Sequence, residues 1–359
     1  MKILKVNNLQ NFFFFRFFLV IAFCFITMFV TGRIADMEVL LGWVKYNAGG
    51  TTTSIALRIF SIIGNWGNRY LLIGILGLFF TIILYFLIKD YIDRDNKILW
   101  QTILLSPGLL IYSNSPTKET LFFYPAIIFI IIQCNYLISN SLKLFNIFFG
   151  LSLLILMYSV RGDQSFPYIV LFLVSLLIRS IYMGGTNAKL KIWKSIVNAF
   201  LISITFNFVF SFLFPEFIDR FSNIVERGFL VNQNVYRPSI FNAYNEPNRI
   251  FQTQFLALFP TVGEVLAAPY KLVILVDSIM IISVFIKSWS KLFILVDPYK
   301  TFKKITLIIF TLITSIYFST YGIVGSVNLG SSQRLRINYI PISIIFPLIL
   351  EKKIRSKKN

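Results

Sequence analysis

The sequence predicts an all-α, polytopic membrane protein, and three observations carry that expectation. Of its 359 residues, 57% are hydrophobic and 14% charged, with a mean hydropathy of +0.75, outside the range of soluble globular domains. The apolar residues gather in runs close to the length of helix that crosses a hydrocarbon core, about 20 residues. The polar connections between those runs carry lysine and arginine in a pattern that alternates along the chain.

On the length rule, ten spanning helices are expected, near 12–31, 69–88, 98–112, 120–138, 144–160, 166–183, 195–214, 270–286, 305–322 and 337–350. The first run has no small-residue cleavage site after it and reads as an anchor rather than a signal peptide. No fixed-period repeat or Pro/Gly-rich linker divides the chain, so residues 1–359 are read as a single transmembrane domain.

Positive charge orients the helices. With both termini cytoplasmic, every inner connection holds at least one cation, and the inner segments take 21 of the 34 Lys and Arg, Arg16 among them. Of those 21, 17 are lysine, whereas 10 of the 13 outer cations are arginine. Lysine suffices for anionic headgroups. Arginine is the better grip on phosphate or carboxylate, because its planar fork donates paired hydrogen bonds. The outer face is thus expected to hold an anion.

Other chemistries are limited by composition. The net charge of +19 has a membrane explanation and comes with no basic soluble domain, so no nucleic-acid partner is expected. Two cysteines, Cys24 and Cys134, lie inside apolar runs and suggest neither a disulfide framework nor a metal site. Histidine is absent, so acid–base work falls to Asp, Glu, Lys, Tyr or water.

The outer connections supply the candidates. The first, 32–68, holds Asp36-Met37-Glu38. The second is the polar break Ser113 to Thr120, SNSPTKET, where the chain is expected to leave the membrane, turn at Pro116 and re-enter with Lys118 and Glu119 at a helix start. Its bland explanation is a wet loop with an incidental ion pair. The third is a tight Arg161-Gly162-Asp163-Gln164 turn, and the fifth, 328–336, reads NLGSSQRLR. The fourth, 215–269, carries Arg220, Arg227, Arg237 and Arg249; a connection this long reads as a lid or binding element. Asp277 is the clearest acidic residue within a run, either functional or a helix-packing hydrogen bonder.

Together these residues fit transfer from a lipid-linked sugar phosphate. Arg161, Arg334 and Arg336, near helix ends, would meet charge developing on the phosphate, with Lys118, Arg237 and Arg249 as further contacts. Glu119, Asp163 and Asp36 are the candidate bases, with Glu38 beside them, and Glu119 is favoured because the turn fixes it at a helix start.

The segments LSPGLLIYSNSPTKETLFF, RGDQSFPY and NLGSSQRLRINYIP together resemble bacterial surface-polysaccharide polymerases of the Wzy-type O-antigen polymerase family. The resemblance implies a GT-C-like helical fold in the bacterial inner membrane with one long periplasmic loop. It implies polymerisation of undecaprenyl-pyrophosphate-linked oligosaccharide repeat units at the periplasmic face, for O-antigen or capsule, without metal or other cofactor. Membrane lipids and a chain-length regulator are the further partners it suggests. In one departure from the family's pattern, no arginine here has a glycine eleven residues later. Rival readings are a GT-C glycosyltransferase using a polyprenyl-monophosphate sugar, with Asp36 and Glu38 as its acidic pair, a lipid-linked oligosaccharide flippase, and a non-enzymatic assembly scaffold. A flippase would want cations inside the bundle, whereas the sequence reading puts them at helix ends.

Overall fold

The computed structural model describes residues 3–31, 69–115, 117–138, 144–181, 258–267, 269–298, 300–316 and 329–358, and every regular element in them is helical. In chain order these are α1 (Ile3–Thr31), α2 (Arg69–Ile88), α3 (Lys97–Leu104), α4 (Pro107–Tyr112), α5 (Lys118–Ile138), α6 (Leu144–Val160), α7 (Gly162–Ile181), α8 (Val262–Ala267), α9 (Leu272–Val296), α10 (Lys300–Ile316), α11 (Leu329–Ile340) and α12 (Phe346–Lys358). Among the described residues, four stretches are long and apolar enough to cross a membrane: Leu9–Thr27, Ile73–Tyr91, Lys118–Ile138 and Leu272–Val296. Among the described residues the fold is all-helical, as expected of an all-α membrane protein. The helix expected at 195–214 and residues 215–257 of the loop expected at 215–269 lie outside the described residues, and the rest of that loop includes the short helix α8.

Several boundaries differ from expectation for identifiable reasons. The span expected at 98–112 is two short helices, because Pro107 has no N–H and disfavours helix at Ser106, whose backbone is extended at φ −62°, ψ 132°. The span expected at 270–286 runs on to Val296, since Trp289, Leu292, Phe293 and Val296 continue a buried face past the lysines that suggested a loop. From Leu329 on, NLGSSQRLR is helix rather than loop: α11 starts there and passes through a π-helical turn, Pro341–Ile345, into α12. The wide turn accommodates a proline without ending the helix. Within that turn the Ser343 carbonyl accepts from Trp289 Nε1 at 2.8 Å, and Trp289 packs edge-on against Phe310 at 4.9 Å, tying α9 and α10 to the turn.

The core sits where α5 meets α6, α7, α11 and α12, with α9 across α3, α4 and α12, and α1 against α2 and α4. Lipid-facing bulk is left outside: Phe14, Phe15, Phe18, Phe29, Phe79 and Phe86 are exposed. At one end of the bundle, segments assigned to the inner side converge. Lys352 meets Asp93 at 3.1 Å, Arg355 bridges Asp95 and Glu351 at 2.7 Å each, and Lys291 donates to the Asp95 carbonyl.

Candidate functional site

The SNSPTKET segment is buried rather than wet. Ser113, Asn114, Ser115, Thr117, Glu119 and Thr120 all have no exposed side-chain surface, so the bland explanation of a wet loop with an incidental ion pair is corrected. A buried turn must satisfy its backbone carbonyls, and this one does so with its own side chains. Ser115 Oγ donates to the Ile111 carbonyl at 2.8 Å, Asn114 Nδ2 to that of Leu110 at 3.1 Å, and Thr120 Oγ1 to that of Tyr112 at 2.8 Å. The small hydroxylated residues that suggested a solvated loop are what allows it to be dry.

This turn carries Glu119 into the first turn of α5, and there Arg161 Nη2 donates to Glu119 Oε1. Arg161 is the single non-helical residue between α6 and α7. Its side chain is 21% exposed while that of Glu119 is fully buried. Glu119 Oε2 is buried and has no hydrogen-bond partner. Beside the pair, the Gln164 amide N–H donates to the Arg161 carbonyl at 3.2 Å, and Asn338 Nδ2 on α11 donates to Gln164 Oε1.

Two residues further back on α11, Arg336 is equally buried but meets a different acid. Its Nη1 donates to Asp277 Oδ2 at 3.1 Å and to Ser278 Oγ at 2.8 Å, and its Nη2 to the Leu258 carbonyl at 3.2 Å. Asp277 Oδ1 accepts from the Gly108 amide at 2.9 Å. A β-carbon at Gly108 would lie 3.0 Å from Asp277 Oδ2, tighter than side chains ordinarily pack, so glycine suits this close approach of α4. Asp277 thus fastens α9, α11 and α4 together, the packing role that was one of its two sequence readings.

Arg16 completes a polar layer across the bundle. Fully buried, it donates from Nε to the Leu104 carbonyl at 3.1 Å, from Nη1 to Thr81 Oγ1 at 3.2 Å and from Nη2 to Ser113 Oγ at 3.5 Å. Its assignment to an inner headgroup cation is corrected, and so is the premise that the cations sit only at helix ends: Arg16 and Arg336 are inside.

Of the sequence candidates, Glu119 and Arg161 come together, and Arg336 pairs instead with Asp277. Lys118 opens α5, half-buried. Asp163 and Arg334 lie on α7 and α11 by backbone, with side chains outside the described set, and Asp36, Glu38, Arg237 and Arg249 lie outside the described residues altogether. Sequence reasoning missed Gln164, Asn338 and Arg16. The last carried a usable signal, a charge four residues inside an apolar run. Among the described residues, no three Cys, Asp or Glu side chains converge as metal ligands.

Fold and site together define a helical membrane protein whose bundle is crossed by a layer of buried ion pairs and amides. In comparisons with family models, with curated proteins and with solved structures, nothing matches this chain.

Proposed function

We propose that this chain is a polysaccharide polymerase of the Wzy type, joining undecaprenyl-pyrophosphate-linked repeat units at the periplasmic face of a bacterial inner membrane. The observation that supports this reading most is the union of Glu119 with Arg161: the favoured base and a favoured phosphate-gripping cation, 42 residues apart, share one hydrogen bond at the mouth of a helix. In the reaction, Glu119 accepts the proton of an acceptor-sugar hydroxyl as its oxygen attacks the anomeric carbon of the donor chain. The bond from that carbon to the pyrophosphate oxygen breaks, and the pyrophosphate departs on its lipid with its growing charge met by arginine. A guanidinium can fork between a carboxylate and a phosphate, so Arg161 is suited to serve both.

The buried position of Arg16 favours a second reading, a flippase for the same lipid-linked unit, since a headgroup crossing the bilayer needs interior cations. Deleting the gene in its host separates the two. Loss of the polymerase leaves lipopolysaccharide core bearing one repeat unit, whereas loss of a flippase leaves core bearing none. An unchanged long-chain ladder contradicts both.

A further inference from the structure

Three buried side chains in the Glu119 layer each keep one polar atom without a hydrogen-bond partner: Glu119 Oε2, Gln164 Nε2 and Asn338 Oδ1. Each side chain is almost wholly buried, with relative exposures of 0%, 2% and 0%. They come from three helices, and their neighbours hold them at one level. One turn into α5, Phe122 packs edge-on against Tyr168 at 5.5 Å, and Tyr168, one turn beyond Gln164, donates its hydroxyl to the Asn338 carbonyl. The Gln164–Asn338 side-chain bond and the Glu119–Arg161 pair complete the ring of contacts.

A buried polar atom left unpaired is costly, so a cluster of them marks a place where a ligand or water completes the bonding. The chemistry on offer is two acceptors and one donor around a charge already balanced, carboxylate against guanidinium. A bare cation would meet Arg161 and a bare anion would meet the open Glu119 oxygen. What fits is a neutral group that both donates and accepts, which is to say hydroxyls.

We propose that Glu119 Oε2, Gln164 Nε2 and Asn338 Oδ1 form a hydroxyl-binding subsite for the acceptor sugar. The subsite rests on the polymerase reading for the identity of its polyol. Glu119 receives the hydroxyl that reacts, while Gln164 and Asn338 hold a neighbouring hydroxyl and so orient the ring. Arg161, the partner of Glu119, is partly exposed, and the subsite is taken to open on its side.

Replacing both members of the Gln164–Asn338 bond by apolar residues of similar shape keeps the fold nearly neutral while abolishing hydroxyl recognition. The test therefore uses Gln164→Met/Asn338→Leu, with Gln164→Met alone beside it. Purified full-length protein in lipid nanodiscs is assayed with the undecaprenyl-pyrophosphate-linked repeat unit extracted from the deletion strain, varying its concentration and measuring thermal unfolding in parallel. The expected result is a KM for the repeat unit raised at least about tenfold in the double variant, with kcat within about threefold and the unfolding temperature unchanged or higher. Wild-type KM in the double variant overturns the subsite and leaves water as the occupant, with the polymerase reading intact. Parallel loss of kcat and stability also overturns it, in favour of a packing role. A deletion strain that accumulates no repeat unit removes the polymerase reading itself, and the ligand assignment with it.

Discussion

The Gly108 amide donates to Asp277 Oδ1 at 2.9 Å, where an uninterrupted helix would have sent it to the carbonyl of Leu104 four residues earlier. That carbonyl accepts instead from Arg16 Nε at 3.1 Å. The break at Pro107 therefore frees this donor and this acceptor inside the bundle, and each is met by a buried ion of opposite character. In lipid every freed backbone group needs such a partner. Here the partners come from α1 and α9, which locks both halves of the broken helix, and the turn bearing Glu119 after them, to the rest of the fold.

Gly108→Ala tests the closeness of this contact. A methyl 3.0 Å from Asp277 Oδ2 makes the carboxylate shift by a few tenths of an ångström, which its bonds to Gly108 and Arg336 resist. A loss of about 2–3 kcal/mol is expected, from overpacking and weakened hydrogen bonds. Gly74→Ala, with nothing within 4 Å of the added methyl, is the control and should be neutral or stabilising by up to about 1 kcal/mol. Thermal unfolding in detergent reads both.

Arg16 serves three acceptors on three different segments, Leu104, Thr81 and Ser113. A lysine ammonium cannot reach all three with the fixed geometry of a guanidinium. Arg16→Lys should lose about 1–3 kcal/mol, and Arg16→Met more, because it leaves the Leu104 carbonyl unpaired. Equal stability of the wild type and both variants in urea titration would contradict this role.

The Arg336–Asp277 pair is buried on both sides, at 1% and 0% exposure. Removing one partner strands the other, so Asp277→Asn and Arg336→Met should each cost about 3–5 kcal/mol. The double variant should cost less than the sum of the two, and a double-mutant cycle on unfolding midpoints measures the difference.

At the opposite end, Glu351 follows the last apolar run and packs against Arg355. Burial raises its carboxyl above the ordinary value of 4.5, against the lowering effects of Arg355 and Lys291. Because the folded state binds this proton more tightly than the unfolded chain, its stabilising contribution is complete below the unfolded value. It is lost as pH rises through the folded value. Glu351→Gln should therefore lose less stability than the wild type as pH rises from below the ordinary value of 4.5 through the raised folded value, as unfolding temperatures across a pH series would show.

What the sequence disclosed depended on how local the cause was. The run 69–88 was bounded correctly because Arg69 and Lys89 flank an unbroken apolar stretch, and α2 spans the same residues. Charge misled where its partner was distant. Lys287 and Lys291 suggested a loop although a buried face continues beneath them. Arg334 and Arg336 did the same for a segment that is helical because Gln333, Arg336 and Asn338 turn inward. The chemistry followed the same rule: Glu119 and Arg161 were each legible as candidates, but pairings 42 and 59 residues apart are products of packing, and nothing in a lone sequence sends Arg161 to Glu119 and Arg336 to Asp277.

Glu119 is the residue on which the proposed chemistry turns, and one comparison tests it most directly: the lipopolysaccharide ladder of a deletion strain carrying either the wild-type gene or Glu119→Gln at matched protein abundance. Glutamine can still accept from Arg161 but is no base, so the variant should leave core with a single repeat unit, reflecting a fall of about 10²–10⁴ in rate. A full ladder from Glu119→Gln would contradict the assignment.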